Sequence, residues 1–128
     1  MVINTPFILA SKSLSRKKIL KNNGLKFIQI KPTCNEDFYK KKLLKKKKTP
    51  TQIATELSKI KARSISQVKK NIIVVGSDTT ISFRNNLIEK AKNMTEAKKN
   101  IKILSGKKHT IITAVSAYYN DKLIWFAV

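Results

Sequence analysis

The chain has 128 residues, 41% of them hydrophobic, and a formal net charge of +21 from 28 lysines and arginines against 7 acidic residues. One domain of that size buries about two-thirds of its unfolded surface, and the apolar content excludes wholesale disorder. The single cysteine, Cys34, excludes an intramolecular disulfide and zinc-type cysteine spacing. It joins the lack of a charged signal-peptide lead and of any transmembrane-length apolar run in the expectation of a cytoplasmic protein without a membrane partner.

In chain order, residues 8–10 read as a short buried strand that stops in Ser11-Lys12-Ser13. A helix is expected over residues 15–23, with Ile19 and Leu20 on its buried side and Gly24 as its stop. Hydroxyls and free backbone N–H groups at such a junction form an anion cradle, to which the helix dipole adds positive charge. Simple capping by Ser13 or Ser15 is the alternative. Residues 25–30 have strand character and end at Pro32, and residues 33–37 form an expected loop that carries Glu36 and Asp37. The run from Lys40 to Lys48 reads as a solvated loop or helix face, because like charges repel and extend a segment. Lysines spread along the whole chain, without interleaved arginine and aromatics, argue for phosphate-sized ligands over nucleic acid. Part of the charge also fits an AT-rich coding sequence, since lysine, asparagine and isoleucine are all abundant.

Thr49-Pro50 starts a helix in which Ile53, Leu57, Ile60, Ser64 and Ile65 recur at helical spacing, to about residue 68. Residues 72–76 are a continuous β-branched run ending in Gly76, read as a central strand. Ser77-Asp78-Thr79 follows at its end, residues 81–83 continue extended, and residues 84–86 make a hairpin turn. Thr95 is expected to cap a helix with Ala97, Ile101 and Leu104 on its buried face. Residues 110–119 and 123–128 then form a hairpin turned at Asn120-Asp121. The order indicates an α/β protein.

Strand ends in α/β sheets are where ligands usually bind, which singles out Ser11-Lys12-Ser13 and Asp78. Asp78 serves either as a functional carboxylate or as a turn aspartate bonded to nearby N–H groups. Glu36 would add a second carboxylate for a magnesium ion, which prefers oxygen ligands. His109, the only histidine, precedes a strand and is expected to be structural or superficial. With no Ser/His/Asp order, Walker loop or histidine pair, any enzyme chemistry here is that of carboxylates, metal and positive charge on phosphates.

These residues together resemble the Maf (septum formation inhibitor) family of nucleoside triphosphate pyrophosphatases. The family's opening Leu-Ala-Ser-x-Ser-Pro-Arg-Arg is matched by Leu9-Ala10-Ser11-Lys12-Ser13-Leu14-Ser15-Arg16, and its acidic loop by Thr33-Cys34-Asn35-Glu36. Leu57-Ser58-Lys59-Ile60-Lys61-Ala62, Gly76-Ser77-Asp78-Thr79, Lys90, Leu104-Ser105-Gly106-Lys107-Lys108-His109 and Thr113-Ala114-Val115 follow in the family's order. The resemblance implies a mixed β-sheet flanked by helices, with a two-lobed cleft of the Maf/ITPase type. It also implies hydrolysis of a nucleoside triphosphate between its α and β phosphates, with magnesium or manganese as cofactor. Position by position, Ser11, Ser13 and Arg16 would hold the triphosphate, and Lys61 and Lys90 would neutralise phosphate charge. Glu36 and Asp78 would be the metal-binding and catalytic carboxylates, Asp78 acting on the attacking water.

The chain also departs from the family pattern. Leu14 and Ser15 replace a proline and an arginine, and lysine at position 17 is a poorer bidentate partner than arginine. Glu89 and Ala91 flank Lys90 in place of glycine and proline. The family's last strand and helix, with its Gly-Lys-Ala-Gly and Gly-Ile-Gln segment, has no counterpart before Val128. Two expectations follow: a Maf-like domain over residues 1–128 that is incomplete at its C-terminus, and an apolar sheet edge at residues 123–128 prone to association. A homodimer of a shortened member, a truncated product and a fragment of a longer reading frame are the open readings. Two readings compete with an active enzyme: a catalytically impaired remnant of the family, and a basic nucleic-acid-binding module. The last would lose affinity steeply with salt and ignore Asp78→Asn.

Overall fold

The computed structural model describes residues 5–128; the uncharged lead, residues 1–4, lies outside the described residues. The elements run β1 (Phe7–Ala10), α1 (Leu14–Asn22), β2 (Phe27–Ile30), α2 (Glu36–Lys45), α3 (Pro50–Ser66), β3 (Ile73–Phe83), β4 (Asn86–Ile88), α4 (Met94–Leu104), β5 (Thr110–Tyr119) and β6 (Lys122–Ala127). They build a mixed six-stranded sheet in the order β2-β1-β3-β5-β6, with β4 added along the far half of β3. β1 pairs in parallel with β2 and β3, whereas β4, β5 and β6 pair antiparallel. The α/β class expected from the sequence is therefore the observed one.

β3 is the axis of this arrangement. Its first half pairs with β1, from Ile8 opposite Val74 to Ala10 opposite Gly76. Its last part pairs with β4, from Ile81 opposite Ile88 to Phe83 opposite Asn86. Between the two, from Ser77 to Thr80, the β1 side of β3 has no strand beside it, while β5 continues along the other side. This step in the sheet edge is where a cleft forms.

α3 covers the sheet and forms the core with it. Ile53, Ala54, Leu57, Ser58, Lys61, Ala62 and Ile65 are all buried, a continuous stripe at helical spacing. Thr49 and Gln52 form a capping box, and Pro50 takes the first turn, where its missing N–H costs nothing. Ile8, Ala10, Ala62, Ile65, Val74 and Tyr118 pack as one cluster between α3 and the sheet. α3 meets β3 at Gly76, where a β-carbon would collide with the Ser58 carbonyl and lie 2.6 Å from the Ala62 amide nitrogen.

Several sequence expectations are corrected. Residues 77–80 do not follow a strand; they lie inside the eleven-residue β3. Asp78 is nonetheless at the end of the parallel pairing, because β1 stops opposite Gly76. Glu36 and Asp37 are not in a loop but open α2, with Asn35 as N-cap accepting from the Phe38 amide. Acidic residues in its first turn and lysines in its last suit the helix dipole, and residues 40–45 of the lysine run lie on this helix, as the helix-face alternative expects. Ile19 is 60% exposed and α1 buries no residue. Leu14, Ile19 and Leu20 have no i+3 or i+4 apolar partners among them, so no stripe forms. α4 is capped by Asn93, not Thr95: Asn93 accepts from the Glu96 amide, while the Glu96 carboxylate accepts from the Lys92 amide. Ile101 is exposed, and no residue of α4 is buried.

The hairpin turns stand where the sequence places them. Arg84 and Asn85, and likewise Asn120 and Asp121, have positive φ at both central positions, the geometry that matches strand twist. β6 forms an edge of the sheet and exposes Ile124, Trp125 and Phe126. Among the described residues no helix is long and apolar enough to cross a membrane.

Candidate functional site

The step in the sheet edge opens into a cleft of about 750 Å³. Ser11, Ser13, Arg16, Glu36, Lys61, Asp78 and Lys90, the residues singled out from the sequence, all line it. They come from the β1–α1 junction, the first turn of α2, the middle of α3, the middle of β3 and the segment after β4.

At the β1–α1 junction the chain turns from strand to helix through its own hydroxyls. The buried Ser11 hydroxyl accepts from the Ser13 amide at 3.1 Å, and the Ser13 hydroxyl accepts from the Arg16 amide at 3.2 Å. Ser13 is thus the N-cap of α1, so capping and a place in the cleft coincide. Leu14 and Ser15, at the first helical positions, have amides without intrahelical acceptors, and both line the cleft. Arg16 lies across the opening, its guanidinium donating to the Thr79 hydroxyl at 3.3 Å. Thr79 in turn shares a hydrogen bond with Thr113 on β5 at 3.0 Å.

The floor is a buried ammonium with two carboxylates. Along β3 alternate residues face α3, so Asp78 shares a face with Val74 and Gly76. The close approach at Gly76 then brings Lys61 onto Asp78. Lys61 is 6% exposed, and its Nζ donates to Asp78 Oδ1 at 2.9 Å and to the Ser77 carbonyl at 3.2 Å. Glu36 Oε2 lies 3.5 Å from the same nitrogen. The ammonium therefore ties together three elements, and both carboxylates converge on it. Just before α2, Cys34 has its thiol pushed up, first by burial and then by the charge of Glu36.

Leu14, Ser15, Lys40 and Thr79 line the cleft without having been given a ligand-binding role from the sequence, and Lys12 stood within the singled-out Ser11-Lys12-Ser13 but was given none of its own. Thr79 stands within the Gly-Ser-Asp-Thr match, so its position was marked but not its role. Lys40 was hidden among many lysines; its place follows from α2 being a helix. Lys17, considered as a replacement for a missing arginine, does not line the cleft, and neither does His109. Five cationic side chains and two carboxylates therefore face the same space. Such a lining attracts a polyanion of phosphate type.

The donor set also fits a hard divalent cation. Magnesium is usually held through one or two carboxylates together with substrate phosphates and water, not by a full protein cage. Glu36 and Asp78 supply two carboxylates to a cleft otherwise lined by hydroxyl and cationic groups. Among the described residues no cluster of three or more His, Cys, Asp or Glu side chains could hold a metal alone.

The sequence profile of the Maf-like protein family matches residues 6–125. A nucleoside triphosphate pyrophosphatase of Pelagibacter ubique (strain HTCC1062) is 40% identical over 118 residues, which cover 92% of this chain and 60% of that protein. A 7-methyl-GTP pyrophosphatase of Rhizobium meliloti (strain 1021) is 31% identical over 118 residues, 92% of this chain and 59% of that protein. A dTTP/UTP pyrophosphatase of Lachnoclostridium phytofermentans is 36% identical over 110 residues, 85% of this chain and 52% of that protein. The chain thus spans between half and about 60% of the length of these relatives. By the extent of the profile match, the chain belongs to the Maf-like protein family.

Proposed function

We propose that the cleft binds a nucleoside triphosphate and hydrolyses its α–β phosphoanhydride, releasing a nucleoside monophosphate and pyrophosphate. The observation that carries this reading is the buried Lys61 ammonium held 2.9 Å from Asp78 and 3.5 Å from Glu36, beneath a phosphate-type cradle. The activities for which relatives are named, nucleoside triphosphate, 7-methyl-GTP and dTTP/UTP pyrophosphatase, support the same class of reaction.

In this mechanism Ser11, Ser13 and the free amides at the start of α1 bind phosphate oxygens, and Arg16 adds a charged fork. Lys61 and Lys90 offset charge that builds on the phosphates as the bridging bond breaks, the stabilisation that phosphoryl transfer chiefly needs. Lys61 also fixes the Asp78 carboxylate through Oδ1, so that Asp78 orients the attacking water and takes its proton. The water oxygen bonds to phosphorus, the bridging oxygen leaves with pyrophosphate, and both products remain anionic. Magnesium or manganese, held by Glu36 and Asp78, would supply further positive charge to the phosphate oxygens when bound.

Product analysis tests this reading. Incubation with UTP and magnesium or manganese is expected to yield UMP and pyrophosphate in equal amounts. UDP and orthophosphate would overturn the α–β assignment.

A further inference from the structure

We propose that the outer face of α2, continued by Lys46, Lys47 and Lys48, is a binding track for single-stranded nucleic acid, with Phe38 as the platform on which a base stacks. The track lies outside the triphosphate cleft and does not depend on it. Along the sequence the lysines look diffuse, but α2 gathers them. Seven of the nine residues from Lys40 to Lys48 are lysines, and no acidic residue stands between Asp37 and Glu56. Among the described residues none of the seven forms a salt bridge, so their charge is uncompensated.

The helix sorts this segment by side. α2 packs on α3, and Tyr39, Lys40 and Leu43 are half-buried, Lys40 reaching the cleft. Phe38, Lys41, Lys42 and Lys45 recur at i, i+3, i+4 and i+7 and are all exposed, a stripe along the other side. Phe38 is 57% exposed. Its T-shaped contact with Tyr39, at 5.3 Å between ring centroids, holds the ring while most of the residue stays open. Past the end of α2, which is about 15 Å long, the surface continues into a groove of about 360 Å³. Lys46, Lys48, Thr51, Gln52 and Glu56 are among its walls. Glu56 is the one carboxylate of that lining, and it lies 3.8 Å from Lys59.

Net charge alone draws any polyanion to this protein; the geometry adds a place and a stacking group. Sequence-tolerant single-strand binders combine cations that follow the phosphates with an aromatic that takes a base face, and the stripe supplies both. In a duplex the base faces are covered by their neighbours, so Phe38 adds nothing there. An anionic membrane suits the face less well, because an interfacial helix buries a broad apolar side. Here Tyr39 and Leu43 lie on the half-buried side, Leu44 at the border, and Phe38 stands among lysines.

Fluorescence anisotropy with a labelled oligo(dT) of about 12 nucleotides tests the track, against a duplex of the same length, inorganic polyphosphate and vesicles of anionic lipid. Oligo(dT) should bind with a steep salt dependence. Replacing Lys41, Lys42 and Lys45 together by alanine should reduce the slope of log K against log salt by about 2. Replacing Lys98, Lys99 and Lys102 of α4 by alanine removes the same charge elsewhere and should reduce the slope by less than half as much. Phe38→Ala should weaken oligo(dT) binding at least about fivefold and leave polyphosphate binding unchanged. All seven substituted side chains are exposed, so the fold is kept. Arg16→Ala, in the cleft, should leave oligo(dT) binding as it is. Equal losses from the two triple variants would reduce the binding to net charge, and a loss from Arg16→Ala as large as from the α2 variant would put the strand in the cleft. Either result overturns the track, as does no binding of oligo(dT), tighter binding of duplex or vesicles, or an unchanged affinity for oligo(dT) in Phe38→Ala.

Discussion

Replacing Lys61 with methionine removes the cation on which Glu36 and Asp78 both converge. The expected loss of stability follows from the geometry. At 2.9 Å and an effective dielectric of about 20, the Lys61–Asp78 attraction is about 6 kcal/mol before solvation is counted. Desolvation of the two ions cancels several kcal/mol of that, yet deleting one partner of a buried pair still costs about 3–5 kcal/mol. The Asp78 and Glu36 side chains keep 14% and 38% of their exposure and can rehydrate. The loss therefore falls at or below the lower limit, at about 2–3 kcal/mol, a drop of about 10 °C in Tm for a chain of this size. Urea unfolding of wild type, Lys61→Met, Asp78→Asn and the double variant measures it. The double variant should recover at least about 1 kcal/mol relative to the sum of the single losses. Additive losses, or an unchanged midpoint for Lys61→Met, would refute the claim that this ammonium holds the cleft floor together.

Three further outcomes are expected. Gly76→Ala drives a β-carbon into the α3 backbone at Ser58 and Ala62 and should cost about 1–3 kcal/mol, read as a lower urea midpoint at constant m. Arg16→Ala removes a charged donor at the mouth of the cleft and should weaken tripolyphosphate binding by about 10- to 100-fold, whereas unchanged affinity would place the anion elsewhere. Because burial and the Glu36 charge both raise the Cys34 thiol, its alkylation by iodoacetamide should rise with pH at a midpoint above that of free cysteine. Glu36→Gln removes one of the two causes and should bring that midpoint down; a wild-type midpoint at or below that of the free thiol would contradict this.

The residues of the cleft were more legible in the sequence than the elements that carry them. Residues 53–65 of α3 repeat apolar side chains at helical spacing, and the β-branched run before Gly76 marks a central strand, so the packing of one on the other could be anticipated. Spacing did not single out Lys61 among the many lysines, and its partner was not readable either, because the meeting depends on Gly76 letting α3 touch β3. The length of β3 was hidden because Ser77-Asp78-Thr79-Thr80 looks like a turn by composition. Pairing with β5 on the other side keeps those residues extended. Glu36 was expected in a loop because local pattern does not show that Asn35 caps a helix from lysine-rich sequence. The faces of α1 and α4 expected to be buried are not, since apolar residues on a helix bury only where another element packs on them.

The most direct test of the account is pyrophosphate release from nucleoside triphosphates by the 128-residue chain and its Asp78→Asn variant, with magnesium or manganese. Asn at position 78 keeps the size of the side chain and an oxygen for Lys61 but cannot take a proton. Wild type should release pyrophosphate, and Asp78→Asn should release it at least about 100-fold more slowly while still folded. Equal rates from both proteins would contradict the assignment of Asp78, and no release from folded wild type would contradict hydrolysis by this chain.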